Sequence, residues 1–376
     1  MLILTIETSC DETSIAVGEV KGGKLKVLSH VISSQVKLHA KWGGVVPDLA
    51  SREHLKNLVP VADLASRQAG FKNTEDLGKK IDLIGVTQGP GLIPSLLLGV
   101  NFAKALSYTW QKPLIPINHM EGHIYASFVE ASPKKLSLSY DPFPLLALLV
   151  SGGHTLIVTM KKHLNYKILG ETVDDAVGEA FDKVARILNL PYPGGPMLSK
   201  MAQKGKPDFI FSVPMKNSSN LNFSFSGLKT AALYKALELS SHQNIKEIFG
   251  KSPKPDLKIP LTLQNKRDIA KAFEDTAIES LISKVRKTLK KQSCKTFVLG
   301  GGVAANTLLR KRIEMELKTE FPKINFLLPP PSLTGDNAGM LLPVTYFKWQ
   351  KAEREGKTRK YLDSWKGLEA KAGLEL

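Results

Sequence analysis

The sequence predicts an α/β protein of two lobes built on one duplicated plan, with a ligand cleft between them. Three observations lead there. An apolar strand, a short polar turn and a second strand occur in residues 2–20, with the turn ETSCDETS, and again in residues 145–158, with the turn SGGHT. A strand, a glycine turn and a helix then follow in each half, at residues 81–106 and 296–313. The chain has 376 residues, enough for two or three compact lobes. A hairpin early and a strand–glycine–helix unit late, in the same order twice, suggest an internal duplication.

In chain order, residues 2–6 read as the first strand. The apolar run is broken by Glu7 and no basic stretch precedes it, which fits a strand and not a secretion signal. The chain returns over residues 15–20 and closes near Lys21-Gly22-Gly23. Residues 52–68 are helical in pattern. The turn Gly89-Pro90-Gly91 leads into the next helix; glycine admits positive φ there, and the helix start favours anions. Residues 114–117 form a short strand running into HMEGH. In the second half Val173, Val177, Phe181, Val184 and Leu188 recur at helical spacing over 173–190. Residues 200–268 read as irregular. From 347 onward the chain is charged and loosely patterned, expected as a helix followed by a mobile end. The division is an N-terminal lobe at 1–140, a C-terminal lobe at 141–345 with a basic insertion at 200–268, and a tail at 346–376.

The net charge is +17, with a pI near 9.6. Such a balance favours polyanionic partners, nucleic acid first; a solvated lysine surface is the alternative. Two distant cysteines, Cys10 and Cys294, exclude a disulfide scaffold and point to a reducing cytoplasmic setting. Apolar runs are too short to span a bilayer, so no membrane association is expected.

HMEGH is the sharpest local signal. His119 and His123 lie four apart, about 40° from each other round a helix, so both imidazoles face one way and suit one metal. Glu121 lies on another side, and Met120 stands where a zinc protease of the HExxH type has its base. Paired polar histidines on a surface are the alternative. A third ligand is found in PSLTGDNAGM, where Asp336 is the candidate, or else a helix cap. The turn Ser151-Gly152-Gly153 offers backbone N–H groups to phosphate or carbonyl oxygens. Neither a P-loop nor a dinucleotide-binding glycine pattern is present. In GEAFDK, Glu179 and Asp182 lie opposite the apolar stripe, as ribose ligands or as solvated charges.

Taken in order, ETSCDETS, GPGLIPSLLLG, HMEGH, LLVSGGHT, GEAFDKVARILNLPYPGGP, FSFSGLKTA, GGGVAAN and TGDNAGM resemble the bacterial TsaD-type tRNA adenosine N6-threonylcarbamoyltransferases, formerly labelled glycoproteases. The resemblance covers about residues 2–344. It implies the actin/sugar-kinase/heat-shock-ATPase (ASKHA) fold and transfer of threonylcarbamoyl from threonylcarbamoyl-AMP to N6 of the adenosine 3′ of the anticodon (position 37), in tRNAs reading codons that begin with A. It implies His119, His123 and Asp336 as ligands of iron or zinc, with Fe(II) preferred. It implies Leu149, Val150, Ser151, Gly152 and Gly153 as the loop contacting the adenylate, with Asp182, Gly195 and Asn306 as further contacts. An inactive TsaB-type paralogue and a small TsaE-type P-loop ATPase are implied as partners. The stretch at residues 246–258 belongs to no motif.

The acyl-adenylate is already activated, so positioning and charge stabilisation are the main needs. Adenine N6 is a poor nucleophile; Asp11 and Glu12 in the first turn are candidate bases, or merely polar at a hairpin tip. The basic segment, with Lys204, Lys206, Lys216 and Lys229, is expected to grip tRNA phosphates. Two other classes compete: a metallo-endopeptidase, and an ATP-dependent kinase or chaperone on the same fold.

Overall fold

A computed structural model of the chain describes residues 1–129, 141–240 and 259–376. Two five-stranded sheets carry it. The first is built from β1 (Leu2–Glu7), β2 (Glu12–Lys21), β3 (Lys24–Ser34), β4 (Leu83–Gly89) and β5 (Leu114–Asn118), in the order β3-β2-β1-β4-β5. The second comprises β6 (Leu145–Val150), β7 (Thr155–Lys162), β8 (Asn165–Glu171), β9 (Thr296–Gly300) and β10 (Asn325–Leu327), in the order β10-β9-β6-β7-β8. In both, three antiparallel strands continue into two parallel ones: β1 and β6 pair antiparallel with the next strand and parallel with β4 and β9. The duplication expected from the repeated hairpin is therefore a repeat of whole-sheet topology.

The sequence reading found the two hairpins but not the third strand of each meander. β3 and β8 are edge strands whose residues alternate between half-buried and exposed, so their apolar content is diluted. β1 and β6, at the sheet centres, are almost continuously buried and correspondingly legible.

A buried apolar layer joins the two sheets. Ile3, Ile115 and Ile117 of the first sheet and Leu145, Ala147, Leu149 and Val298 of the second enclose Met120, Ile124 and Tyr125 of the helix His119–Tyr125. The helix Leu341–Arg354 joins this layer and packs on β1, β4 and β5, although its first residues fall in the segment expected for the second lobe. Each lobe also has its own core on the outer face of its sheet. Glycine permits one close approach here. A Cβ on Gly122 would lie 2.9 Å from Leu341 and Met340, so the ligand helix can sit against the helix Leu341–Arg354.

Three expectations need correction. Val173 is exposed and precedes the helix, which runs Val177–Ile187; Asp174 bonds the Phe225 and Ser226 N–H groups and holds that stretch as a turn. The segment 200–268 is not wholly irregular: it contains the helix Ser226–Glu238 and the start of Leu263–Leu289, while residues 246–258 lie outside the described residues. The end of the chain is docked rather than mobile. The Lys371 N–H bonds the Gln88 carbonyl, the Gly91 N–H bonds the Ala372 carbonyl, and Asn118 Nδ2 donates to the carbonyls of Leu374 and Glu375. Backbone pairing of this kind needs no apolar signature, which is why the pattern of the sequence misses it.

Candidate metal centre and ligand cavity

The two histidines are set by a seven-residue helix at the end of β5. Asn118 caps it, its Oδ1 accepting the Met120 N–H at 2.8 Å, while Glu121 accepts the Asn118 N–H at 3.1 Å. Glu121 also pairs with Lys348 at 2.6 Å. Its carboxylate is therefore committed to holding the helix start and is no base for a peptidase. His119 and His123 project together into the cleft, ring centroids 4.6 Å apart, both buried.

Asp336 arrives from 213 residues further along, and the loop bearing it is clamped to the first sheet. Ser14 Oγ accepts the Ala338 N–H at 2.9 Å, and Thr5 Oγ1 donates to the Ala338 carbonyl at 2.7 Å. The cap in this loop is Asn337, whose Oδ1 accepts the Met340 N–H; Asp336 is left free for the cleft. Its Oδ1 stands 3.3 Å from Nε2 of His119 and 3.3 Å from Nε2 of His123. One ligand atom from each of the three lies within 4.8 Å of the others.

This donor set fits a divalent metal. Two imidazole nitrogens and one carboxylate oxygen suit Fe(II) or Zn(II) with coordination positions left open. Nδ1 of His123 is buried without a partner among the described residues, and its Nε2 makes no well-formed hydrogen bond although Asp336 Oδ1 stands 3.3 Å away, an arrangement that is costly unless something else binds there. Without metal, the cluster holds a proton. Burial opposes charge on His119, but Asp336 and Glu7 outweigh it and raise its pKa well above the usual histidine range. Burial keeps His123 low despite Asp336. Burial would raise Asp336, yet the His119 charge holds it well below the carboxylate range. A metal taking Nε2 of His119 must displace that proton. Metal affinity is accordingly expected to fall on acidification, by roughly tenfold per pH unit below the raised His119 pKa, in a chelator competition.

The turn ETSCDETS borders this cluster. His54, from the helix Pro47–Gln68, pins it: Nδ1 bonds Thr13 Oγ1 at 2.8 Å and Nε2 bonds the Cys10 carbonyl at 2.9 Å. Glu12 is pushed up to about 10 by burial and by the charges of Asp11 and Asp336, and Ser34 Oγ donates to it at 3.2 Å. Burial and the neighbouring charges thus favour the protonated form of Glu12. The charge of Asp11 also reaches Asp182 and Tyr192 of the second lobe, so the pair faces the cleft.

The other wall is a cavity of about 680 Å³, lined by Gly152, Gly178, Asp182, Gly195, Gly302 and Asn306 among others. It brings together four residues singled out in the sequence. Asp182 accepts the N–H groups of Gly194 and Gly195 on Oδ1, both at 2.9 Å, and so caps the helix Gly194–Ala202 at the cavity edge. Glu179 instead pairs with Lys183 at 2.8 Å. Asn306 is spent within the protein: Oδ1 caps the helix Thr307–Glu320, and Nδ2 donates to Ser199 and Glu274. The side chains of Leu149 and Val150 are fully buried in the sheet, which leaves their backbone as the part that can meet a ligand. Ser151, Gly152 and Gly153 form the turn beyond them, closed by the Ser151 N–H bond to the His154 carbonyl. His154 lies within the electrostatic reach of the metal cluster; burial and the two histidines push it down to about 4. The turn places Gly152 on the cavity, and the strand that leads into it, β6, packs against the helix bearing the two histidines.

Sequence reasoning missed Glu7, Ser9, Thr87, His54 and His154. Glu7 and Ser9 stand in ETSCDETS and His154 in SGGHT, so motif membership was the signal available for those three; His54 and Thr87 had none.

A sequence model of the family described as tRNA N6-adenosine threonylcarbamoyltransferase (TsaD) matches residues 26–342. A curated relative with that description, from Thermomicrobium roseum, is 44% identical over 94% of this chain and 93% of its own. Another, from Thermosipho africanus, is 44% identical over 93% of this chain and 95% of its own. Among solved structures, HypF of T. kodakarensis matches 96% of this chain with 49% of its own at a TM-score of 0.56 and 16% identity, a likeness of fold alone.

Proposed function

The chain belongs to the tRNA N6-adenosine threonylcarbamoyltransferase family and forms N6-threonylcarbamoyladenosine in tRNA; we propose that its donor is threonylcarbamoyl-AMP, bound across the SGGH turn. The observation that carries this reading is that the helix bearing His119 and His123 packs against β6 and β9, so closely that a Cβ on Gly300 would lie 2.5 Å from the His123 carbonyl oxygen, while the turns after those two strands, at Gly152 and Gly302, line the nucleotide-sized cavity. The adenylate lies in the cavity, with a ribose hydroxyl on Asp182 and the phosphate at the N–H groups of Ser151, Gly152 and Gly153. His119, His123 and Asp336 hold a divalent metal, Fe(II) in preference to Zn(II). When bound, it supplies Lewis acidity and a template for the threonylcarbamoyl carboxylate and carbonyl. Asp11 takes the proton from adenine N6, and the neutral Glu12 carboxyl beside it donates a hydrogen bond. Position 37 of tRNAs reading codons that begin with A is the acceptor, and a TsaB-type paralogue and a TsaE-type ATPase assist turnover. No described helix is long and apolar enough to cross a membrane; a cytoplasmic site of action follows from the tRNA substrate.

The cavity assignment is tested by calorimetric titration with AMP. Asp182→Ala should weaken binding by about 10- to 100-fold, the worth of one hydrogen bond involving a charged partner. It should also lower stability by about 1 kcal/mol, because a helix cap is lost, and leave metal content unchanged. Unaltered AMP affinity would remove Asp182 and the cavity from the reaction.

The tRNA grip is narrower than the sequence suggested. Lys229 is half-buried and held by Asp175 at 2.7 Å, whereas Lys204, Lys206 and Lys216 are exposed. Replacing those three with Gln should flatten the slope of log affinity against log salt by about 2 units if each touches phosphate. An unchanged slope would place the tRNA elsewhere.

A further inference from the structure

Glu7 ends β1 with no solvent exposure, in a chain segment that reads as an apolar strand. Its carboxylate is nonetheless fully engaged. Oε1 accepts the Ser9 N–H at 2.6 Å, while Oε2 accepts Thr87 Oγ1–H at 2.5 Å and stands 3.1 Å from His119 Nδ1. Ser9 Oγ stands 3.2 Å from the same nitrogen. On the far side of the ring, Nε2 faces Asp336.

We infer that Glu7 is a positioning residue for the metal centre, which fixes His119 as the tautomer protonated on Nδ1 and aims its Nε2 lone pair at the metal. The carboxylate reaches neither metal nor substrate. It acts through His119, and it is itself held from two strands, by Ser9 following β1 and by Thr87 of β4. A carboxylate behind a ligating imidazole sets ring orientation and raises ligand basicity. His123 has no counterpart: its Nδ1 is buried without a partner among the described residues. The two histidines are therefore unequal: both meet Asp336 through Nε2, but only His119 has a partner behind its ring, on Nδ1.

The inference rests on the metal reading of the cluster, and the experiment separates the two. The unaltered full-length protein, labelled with ¹⁵N-histidine, is loaded with ¹¹³Cd(II). Coupling of cadmium to His119 Nε2, with a proton retained on Nδ1, is expected. Cadmium on Nδ1, or an Nδ1 without its proton, would overturn the role of Glu7 alone. No cadmium coupling to either histidine would overturn the metal reading and the inference with it. In parallel, Zn(II) affinity is measured by chelator competition. Glu7→Gln presents one acceptor where three donors converge, and should weaken affinity by about 10- to 100-fold. Ser9→Ala should change it by less than about threefold. Equal losses in the two variants, or unchanged affinity in folded Glu7→Gln, would contradict the inference; the cadmium spectrum decides if that variant does not fold.

Discussion

His123→Ala should empty the metal centre and reduce threonylcarbamoyl transfer by more than about a hundredfold, while the protein remains folded. Loss of an outer partner alone weakens a metal site by about 10- to 100-fold, and loss of a direct ligand exceeds that. Folding should survive because Nδ1 of His123 has no partner among the described residues and its Nε2 meets only Asp336, which keeps His119 as a partner. The cost then falls in the ordinary range for a buried truncation, about 0.5–3 kcal/mol. His119→Ala is the poorer experiment, although the sequence alone makes the two look equivalent. Its removal leaves Glu7, wholly buried, without its counter-charge, and breaking a buried pair costs roughly 3–5 kcal/mol. Metal analysis and thermal unfolding of both variants check the contrast. Full metal occupancy in folded His123→Ala would remove His123 from the ligand set.

The second large effect concerns the two acids of the first turn. Asp11→Asn should lower the rate of transfer by roughly 10²- to 10⁴-fold, the usual worth of a positioned base. Glu12→Gln should cost less than about tenfold under the same conditions. Burial and the charges of Asp11 and Asp336 push Glu12 upward and favour its neutral, hydrogen-bonding form, which glutamine resembles. Single-turnover rates with preloaded threonylcarbamoyl-AMP separate this step from binding. If Glu12→Gln is the more damaging, the roles of the two acids are exchanged.

How much the sequence disclosed follows from the range of each interaction. The helical offset of His119 and His123 is local, and HMEGH shows it directly. Asp336 was identifiable as a carboxylate in a constrained loop, but its place 3.3 Å from both rings depends on the clamp to Thr5 and Ser14, more than 300 residues away. Glu7 opens the motif ETSCDETS, yet nothing in that string shows which groups its carboxylate meets. Its partners, Thr87 and His119, come from β4 and from the helix after β5, and only the sheet order brings them together. Asn306 shows the complement: the motif draws attention to a position that lines the cavity, while the structure gives its amide to a cap and two side chains. Motif membership marks where a residue sits and leaves open what its polar atoms touch.

The central claim is that this chain moves an activated threonylcarbamoyl group to tRNA. Mass analysis of nucleosides from unmodified tRNA, incubated with the metal-loaded protein, the proposed donor threonylcarbamoyl-AMP and the proposed TsaB- and TsaE-type partners, tests it most directly. The account predicts N6-threonylcarbamoyladenosine at the position 3′ of the anticodon, absent when His123→Ala replaces the native chain. Unmodified adenosine from a complete reaction in which the tRNA and the metal are both bound would contradict it.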